Sequence, residues 1–241
     1  MRLHRFYIDK PLGEEIVVEN AGSEKGIFHQ MTHVFRFTSG DEVFLFSSHN
    51  KGTDFRYNIT QVSKHSLTLQ LVSSSPNILP SDAITLVMAL VKKDTFETVV
   101  RQATELGVSR IIPVEAARSE KKNLNFKRLS VIAQEAAEQS GRGTVPVITS
   151  ISTFEEALLL TGEETSIIGS LHGVSLTKLT DKGFSKQDLT LWVGPEGGWT
   201  KEEEDRAEKA GFLSYKLTDT VLKADTAATA LLSTLLSRDT A

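Results

Sequence analysis

The sequence predicts a small, mostly β domain followed by an α/β domain whose parallel sheet is covered by helices on both faces. Up to about Val72, short β-like runs are separated by turn signals such as "SGDE" and "HNKGTD". After the linker-like stretch "SSSPNILPSD", strand patterns alternate with helix patterns, which is typical of a parallel sheet. We therefore expect one domain over residues 1–73 and a second over residues 83–241.

The bulk composition indicates a globular protein with no membrane segment. The chain has 241 residues, 39% of them hydrophobic and 24% charged, with a net charge of -4. It has no cysteine, which excludes disulfides and thiolate metal sites and favours a cytoplasmic location. The N-terminal "MRLHRFYIDK" lacks the apolar region of a signal peptide, and the longest apolar run, "AITLVMALV", is too short to span a bilayer.

The first domain reads as five short strands with one helical patch, from about Glu24 to Val34. The strand patterns are "RFYI", "EIVV", "EVFLFSS", "DFRYNITQV" and "SLTLQLV". This content predicts a barrel or a curled sheet. Five of the six histidines lie here, but no pair has a recognisable ligand spacing, so we expect no metal site.

The second domain alternates strand and helix patterns, and its helices carry capping signals. The predicted strands are "AITLVMALV", "SRIIPV", "VPVITS", "TSIIGSL", "DLTLWVG" and "SYKLT". Capping-box spacing joins Asp94 to Glu97, Thr153 to Glu156 and Thr200 to Glu203. Further helices are expected from about Asn125 to Ser140 and from about Asp225 onward.

The turn in "LWVGPEGGWT" lies between a buried strand and a helix, where open α/β sheets hold their ligands. It does not have the spacing of a dinucleotide or P-loop motif, and the next helix opens with four carboxylates that would repel a phosphate. A neutral or cationic ligand fits the turn better. A plain tight turn without a ligand remains the alternative.

Two further strand ends, in "SLHGVS" and "LTDTVLKADTAATALL", also change from apolar to small polar residues, as ligand-binding loops do. Small residues from Thr226 to Ala230 begin the last helix. They indicate close packing in the core or against a second subunit. The neighbouring leucines make this helix more apolar than a solvated one, and we predict that Ala227 to Leu236 contributes to a homodimer interface.

Several motifs together resemble the SPOUT-class RNA methyltransferases, and among them the family that methylates N3 of a uracil in 16S ribosomal RNA. They are "LWVGPEGGWTKEE", "VLKADTAATALL", "ALVKKDTFETVVRQATELGVSRIIPVEAARSE", "AQEAAEQSGRGTVPVI" and "THVFRFTSGDEVFLF". The resemblance implies an α/β domain with a deep trefoil knot behind a PUA-like β-barrel, where the strand pattern alone predicts an ordinary doubly wound sheet. It also implies a homodimer that uses S-adenosyl-L-methionine and acts on the small ribosomal subunit.

The family's motifs imply which residues bind the cofactor and which carry out the reaction. The implied cofactor-binding residues are Leu171, His172, Gly194, Pro195, Glu196, Gly197, Gly198, Leu217, Thr218, Val221, Leu222 and Thr226. A uracil N–H must lose its proton before methylation, and cationic groups near the ring carbonyls favour the ring anion. The catalytic candidates are Arg118, Arg142, Lys223 and Asp225. The choice of proton acceptor stays open between Asp225 and Glu196.

The predicted RNA contacts are local because the whole chain is acidic. "RSEKKNLNFKR" holds five basic residues against one acidic residue. The predicted RNA-binding residues are Arg2, Arg5, Arg36, Lys121, Lys122 and Arg128, with Arg56 as an extension of this surface. Phe35 or Tyr57 would supply base stacking.

The chain departs from its family in the motif after Leu217, where Thr218, Thr220, Lys223 and Asp225 replace a glycine, two arginines and a glutamate. Lysine lacks the planar fork of arginine, although Lys223 would still pair with Asp225 or with the RNA backbone. We expect methyl transfer to be retained. Two alternatives remain: a methyltransferase of another RNA such as tRNA, and a non-catalytic RNA-binding or ribosome-assembly protein.

Overall fold

A computed structural model of the chain describes residues 4–80, 83–119, 123–162, 164–176, 178 and 189–236. The chain divides into two compact units. Unit 1 comprises Met1–Leu79 with Ala137–Val145, and unit 2 comprises Pro80–Ala136 with Pro146–Ala241. Residues 137–145, which the sequence pattern assigned to the second domain, therefore group with the first. Over the described ranges, every helix is too short or too polar to cross a bilayer.

Unit 1 is built on a five-stranded sheet with the order β1-β3-β4-β5-β2. Its strands are β1 (Arg5–Tyr7), β2 (Glu15–Glu19), β3 (Glu42–Phe46), β4 (Thr53–Val62) and β5 (Ser66–Pro76). The β1–β3 pair is parallel and the other pairs are antiparallel. A short helix, α1 (Lys25–His29), continues into a π-helical turn over Gln30–Val34. The mostly β character predicted for this part of the chain is confirmed.

The stretch predicted as a linker is partly strand. Ser73, Ser74, Ser75 and Pro76 continue β5 and pair with the first residues of β4. Polar composition suggested a linker, but pairing along the exposed end of a long hairpin needs no apolar side chains. Beyond β5, Ile78 accepts a hydrogen bond of 2.6 Å from the Gly143 backbone N–H. This contact ties residues 137–145 to unit 1.

Unit 2 contains a seven-stranded sheet in which every recorded strand pair is parallel. Its order is β12-β10-β11-β6-β7-β8, and β9 also pairs with β7. The strands are β6 (Ile84–Ala89), β7 (Arg110–Glu115), β8 (Val147–Ile148), β9 (Ser152–Thr153), β10 (Thr165–Ser175), β11 (Leu189–Val193) and β12 (Leu213–Lys216). The predicted parallel sheet is confirmed. Because the strands run in one direction, their carboxyl ends meet at one edge.

The helices after β6 begin mostly where the capping signals predicted. They are α2 (Lys93–Glu105), α3 (Phe126–Ser140), α4 (Phe154–Thr161), α5 (Lys201–Lys209) and α6 (Ala224–Leu236). Both capping boxes at Thr153 and Thr200 are formed. The predicted cap at Asp94 is wrong, because α2 begins at Lys93 and Asp94 lies inside its first turn. A carboxylate there still interacts favourably with the helix dipole.

The leucines of α6 are buried within their own unit. Leu231, Leu232 and Leu235 are at most 1% exposed, and the Thr229 hydroxyl donates a hydrogen bond of 2.8 Å to Gln102 of α2. The apolar character of α6 is therefore explained by packing inside one chain. The apolar character of α6 therefore gives no support to a subunit interface. The homodimer that the resemblance implies stays a prediction.

Candidate functional site at the carboxyl ends of the second sheet

A cavity of about 330 Å³ opens at the carboxyl edge of the unit 2 sheet. It collects the end of β10, the turn after β11, the loop after β12 and Arg118 from the segment after β7. With the exception of Thr226, every predicted cofactor residue lines it: Leu171, His172, Gly194, Pro195, Glu196, Gly197, Gly198, Leu217, Thr218, Val221 and Leu222. Cavities that bind small ligands typically measure about 300–1,000 Å³. We call this cavity the strand-end pocket.

The glycines of the turn after β11 are needed for its shape. Gly198 adopts a φ of 69°, a left-handed conformation that favours glycine, and its N–H donates to the Pro195 carbonyl at 2.8 Å. A Cβ added at Gly194 would lie 3.1 Å from the indole of Trp199. Larger residues would therefore strain the turn or push Trp199 out of the pocket wall.

Arg118 lies across this turn and anchors it. Its Nη1 donates hydrogen bonds to the carbonyls of Gly197 at 2.8 Å and Trp199 at 3.1 Å. A Cβ on Gly197 would lie 3.3 Å from the Cβ and Cδ of Arg118. The small turn residue thus permits the arginine stem to pack on the backbone, while the cationic head stays at the exposed side of the strand-end pocket.

Glu203 connects two of the loops that form the pocket. It is 5% exposed, and its Oε2 accepts from the Thr200 N–H at 2.8 Å in the capping box. Its Oε1 accepts from the Ala117 N–H at 2.8 Å, one residue before Arg118. One buried carboxylate therefore accepts hydrogen bonds from both the start of α5 and the segment after β7. These charge-assisted bonds hold the two segments together.

The acidic start of α5 also reaches the pocket. Glu204 lines it and accepts a hydrogen bond of 2.6 Å from the Ser170 hydroxyl. The same hydroxyl accepts from the His172 N–H at 3.2 Å, which orients the end of β10. Glu196 is exposed at the tip of the glycine turn. The pocket is thus lined by the carboxylates of Glu196 and Glu204 together with the cations of Arg118 and Lys216, so it offers partners for both charged ends of a zwitterionic ligand.

Sequence reasoning missed part of the pocket wall. Gly169, Ser170, Trp199, Glu204 and Tyr215 line it but were not predicted. Trp199 lies inside a motif that was recognised and Glu204 directly follows it, so proximity in sequence was an available signal. No sequence signal indicated Tyr215, because it faces the pocket through the way in which β12 pairs with β10.

The predicted catalytic residues are only partly brought together. Arg118 lines the pocket. Lys223 and Asp225 lie in the segment that follows Leu222, but their side chains do not line the pocket. Of the two partners expected for Lys223, Asp225 is not paired with it and instead accepts from the Thr226 N–H at 2.9 Å, whereas pairing with the RNA backbone stays a prediction. Arg142 belongs to unit 1 and is 5% exposed; burial lowers its pKa to about 10, so it stays cationic. It does not line the pocket.

Some of the predicted RNA-binding residues already pair with other side chains of the protein, and others are exposed. The Arg5 side chain is 10% exposed, pairs with Asp54 at 2.6 Å, donates to the Ala137 carbonyl and lies over the Phe46 ring. These contacts give Arg5 a role inside unit 1, which corrects its prediction as an RNA contact. Arg56 pairs with Glu42.

The predicted stacking residues and the other basic residues also differ in exposure. Tyr57 is fully buried, so it offers no stacking surface. Arg36, with a φ of 57°, is exposed beside Phe35, and Arg128 is half-exposed. Arg2, Lys121 and Lys122 lie outside the described residues.

The histidines of unit 1 take part in ring contacts. His4 packs against Phe35 with ring centroids 4.0 Å apart, and His29 stacks on His33 at 4.7 Å. In the parts of the chain that the structure describes, no three His, Cys, Asp or Glu side chains come together as metal ligands do. The absence of a metal stays a prediction for the whole chain.

Comparison with known proteins identifies the family. Residues 78–236 match the family model of the RNA methyltransferase domain. A relative from Rickettsia conorii named ribosomal RNA small subunit methyltransferase E is 30% identical over 238 residues, covering 95% of this chain and 93% of the relative. A Bacillus subtilis protein of the same name is 28% identical and covers 83% of this chain and 82% of its own length.

A solved structure agrees over the full length. The ribosomal RNA small subunit methyltransferase E of Neisseria gonorrhoeae, bound to S-adenosyl methionine, superposes with a TM-score of 0.86 and 28% identity over 98% of both chains. The chain therefore belongs to the RNA methyltransferase family and, within it, to the ribosomal RNA small subunit methyltransferase E family.

Proposed function

We propose that this protein transfers a methyl group from S-adenosyl-L-methionine to N3 of a uracil in 16S ribosomal RNA. The observation that carries the proposal is that the end of β10, the turn after β11 and the loop after β12 meet at the strand-end pocket. The turn after β11 and the loop after β12 belong to the motifs that resemble the uracil-N3 family. The Neisseria gonorrhoeae relative, which is bound to S-adenosyl methionine, supports the choice of donor.

The pocket fits a donor of this kind. Its volume of about 330 Å³ suits a nucleoside with a short amino-acid tail. The glycine turn allows close approach to the backbone, and Glu196 and Glu204 on the rim tolerate a positive charge. When bound, the donor supplies a methyl group carried on a sulfonium cation.

The residues around the pocket are suited to activating a uracil. The ring N3–H is weakly acidic, so a cation beside the ring carbonyls makes loss of the proton easier. Arg118 is anchored to the turn through Nη1, and its Nε and Nη2 have no protein partner among the described residues. We assign to these groups the role of stabilising the uracil anion. Glu196 and Asp225 remain the candidates for accepting the proton.

Basic and aromatic residues outside the pocket would hold the RNA. Arg36 and Phe35 are neighbouring exposed residues of unit 1, and Arg128 of α3, which pairs with Glu97 at 3.5 Å, is half-exposed. Cations bind the phosphate backbone, and an exposed aromatic ring stacks on an unpaired base. Lys121 and Lys122 belong to the proposed footprint by sequence.

A homodimer, a trefoil knot and a cytoplasmic location also belong to the proposal. Leu171 and Val221 line the pocket yet are 55% and 67% exposed, so a second subunit would cover an apolar rim. For the knot, the support is the membership of the chain in the family whose resemblance implied it. The cytoplasm is where ribosomal RNA meets its modifying enzymes.

Nucleoside analysis of 16S ribosomal RNA tests the proposal. A strain that lacks the gene should lose N3-methyluridine from one position, and the purified protein should restore it in the presence of the donor. Methylation of tRNA alone would support the other-RNA alternative. Donor binding without methylation of any RNA would support the ribosome-assembly alternative.

A further inference from the structure

The hydroxyl of Tyr215 is a polar group at the pocket wall that has no hydrogen-bond partner among the described residues. Tyr215 lies on β12, is 2% exposed and lines the strand-end pocket. Among the described residues, no group forms a hydrogen bond with its hydroxyl. Buried tyrosines usually find a partner, as Tyr57 does by donating to the Gly13 carbonyl at 2.6 Å. An unpartnered hydroxyl at a pocket wall indicates that its partner is the ligand.

Two glycines of β10 fix where this hydroxyl lies. A Cβ on Gly169 would be 3.0 Å from the Tyr215 hydroxyl oxygen and 3.3 Å from Cζ. A Cβ on Gly173 would be 2.5 Å from the backbone nitrogen and carbonyl carbon of Tyr215. The chain therefore makes room for both the ring and the backbone of Tyr215. The hydroxyl is held at the inner side of the pocket, beside the sheet.

The charge distribution in the pocket separates a neutral inner side from a charged rim. Gly169 within β10, Val193 at the end of β11 and the buried Trp199 are uncharged lining residues, whereas Arg118 and Glu196 lie on exposed loops. Burial raises the pKa of Tyr215, so the hydroxyl keeps its proton and can donate it. A neutral heteroaromatic base suits this inner side, and the charged sulfonium and amino-acid groups suit the rim.

We propose that the Tyr215 hydroxyl donates a hydrogen bond to a ring nitrogen of the donor's adenine and so selects for the base. This inference rests on the proposed function, since it concerns the same pocket. Tyr215 is then a cofactor-binding residue that acts on the affinity for the donor. It does not take part in the transfer of the methyl group.

Calorimetry with the full chain and S-adenosylhomocysteine tests the inference. Tyr215→Phe should bind about tenfold more weakly than wild type, the loss expected for one hydrogen bond. Binding should then be compared with the 1-deaza, 3-deaza and 7-deaza analogues, each of which lacks one ring nitrogen. With one of the three, wild type and Tyr215→Phe should bind equally well, because the bond is already absent.

Tyr57→Phe is the matched control for loss of a buried tyrosine hydroxyl. It removes a satisfied group far in sequence from the pocket residues, so it should lower the unfolding temperature and leave the affinity for S-adenosylhomocysteine unchanged. Tyr215→Phe without ligand should unfold at the wild-type temperature or above, because no protein hydrogen bond is lost.

Two results would overturn the inference alone. One is equal affinity of wild type and Tyr215→Phe for S-adenosylhomocysteine. The other is a tenfold loss that persists with all three deaza analogues, which would place the bond elsewhere on the ligand. If wild type binds none of these compounds, the choice of donor in the proposed function fails together with the inference.

Discussion

Tyr57 in the first sheet and Tyr215 in the second are both buried, yet only Tyr57 has a hydrogen-bond partner among the described residues. The arginines differ in the same way. Arg5 of unit 1 is occupied by Asp54, Ala137 and the Phe46 ring. Arg118 of unit 2 uses one nitrogen to anchor a turn and presents the others at a pocket.

The difference separates groups that stabilise the fold from groups kept for a ligand. An internally paired polar group contributes to stability, so its removal should lower the free energy of unfolding. A group that waits for a ligand contributes to affinity, so its removal should change binding and leave unfolding nearly unaltered. Variants that affect one property without the other therefore test the comparison.

The largest effect on stability is expected where β10 pairs with β12. In Gly173→Ala the new Cβ would lie 2.5 Å from the backbone of Tyr215, where no flexible side chain can yield. We expect a loss of about 3 kcal/mol or more in the free energy of unfolding. Chemical denaturation of the full chain measures it.

Gly26→Ala is the control for this substitution. Gly26 lies in α1 with nothing within 4 Å of an added Cβ. Alanine there should stabilise the protein by about 0.5–1 kcal/mol, because glycine is unfavourable inside a helix. If both variants lost the same stability, steric contact with Tyr215 would not be the cause.

A smaller effect, on both stability and binding, is expected at Glu203. Glu203→Ala leaves the N–H groups of Thr200 and Ala117 without their acceptor. We expect a loss of about 1–3 kcal/mol in the free energy of unfolding and about tenfold weaker donor binding, since two pocket loops lose their connection. Denaturation and calorimetry measure the two quantities.

Glu202→Ala is the matched control, because it removes the same charge from an exposed position in the same turn. It should change neither quantity appreciably. Weaker donor binding in Glu202→Ala equal to that in Glu203→Ala would mean that the helix charge matters, and not the contacts of Glu203.

The smallest effect is expected at Lys223, which is exposed and does not line the pocket. Lys223→Ala should leave stability and donor affinity within a few-fold of wild type. Methyl transfer to RNA should fall by about fivefold, the value of one exposed charge contact. Lys209→Ala, at the exposed end of α5, is the control and should transfer methyl groups at the wild-type rate. Loss of donor affinity in Lys223→Ala would contradict its assignment to the RNA side.

Local patterns predicted the sheets and three ligand-like segments at strand ends, whereas the resemblance supplied the individual residues predicted to bind the cofactor. Capping boxes at Thr153 and Thr200 involve only three-residue spacing, and such short-range signals survive folding unchanged. The glycine turn was recognisable because its composition is unusual next to a buried strand. The resemblance then joined this turn to the end of β10 and the loop after β12.

Contacts between distant parts of the chain were not predictable. Arg5 looked like a surface cation because nothing near it in sequence indicates Asp54 or Ala137 as partners. Leu231 looked like an interface residue because a burial pattern does not reveal which surface covers it. Tyr215 was missed because its position depends on the way in which β10 leaves the ladder at Gly169 and rejoins it at Val174.

Calorimetry of S-adenosyl-L-methionine binding, with wild type and Gly197→Val compared, tests the central claim most directly. The claim predicts one donor per chain for wild type at micromolar concentration without RNA. It predicts no binding for Gly197→Val, because the branched side chain would meet Arg118 and close the turn. The absence of heat with wild type at high micromolar donor, or equal binding by the folded variant, would contradict the claim that the strand-end pocket holds the donor.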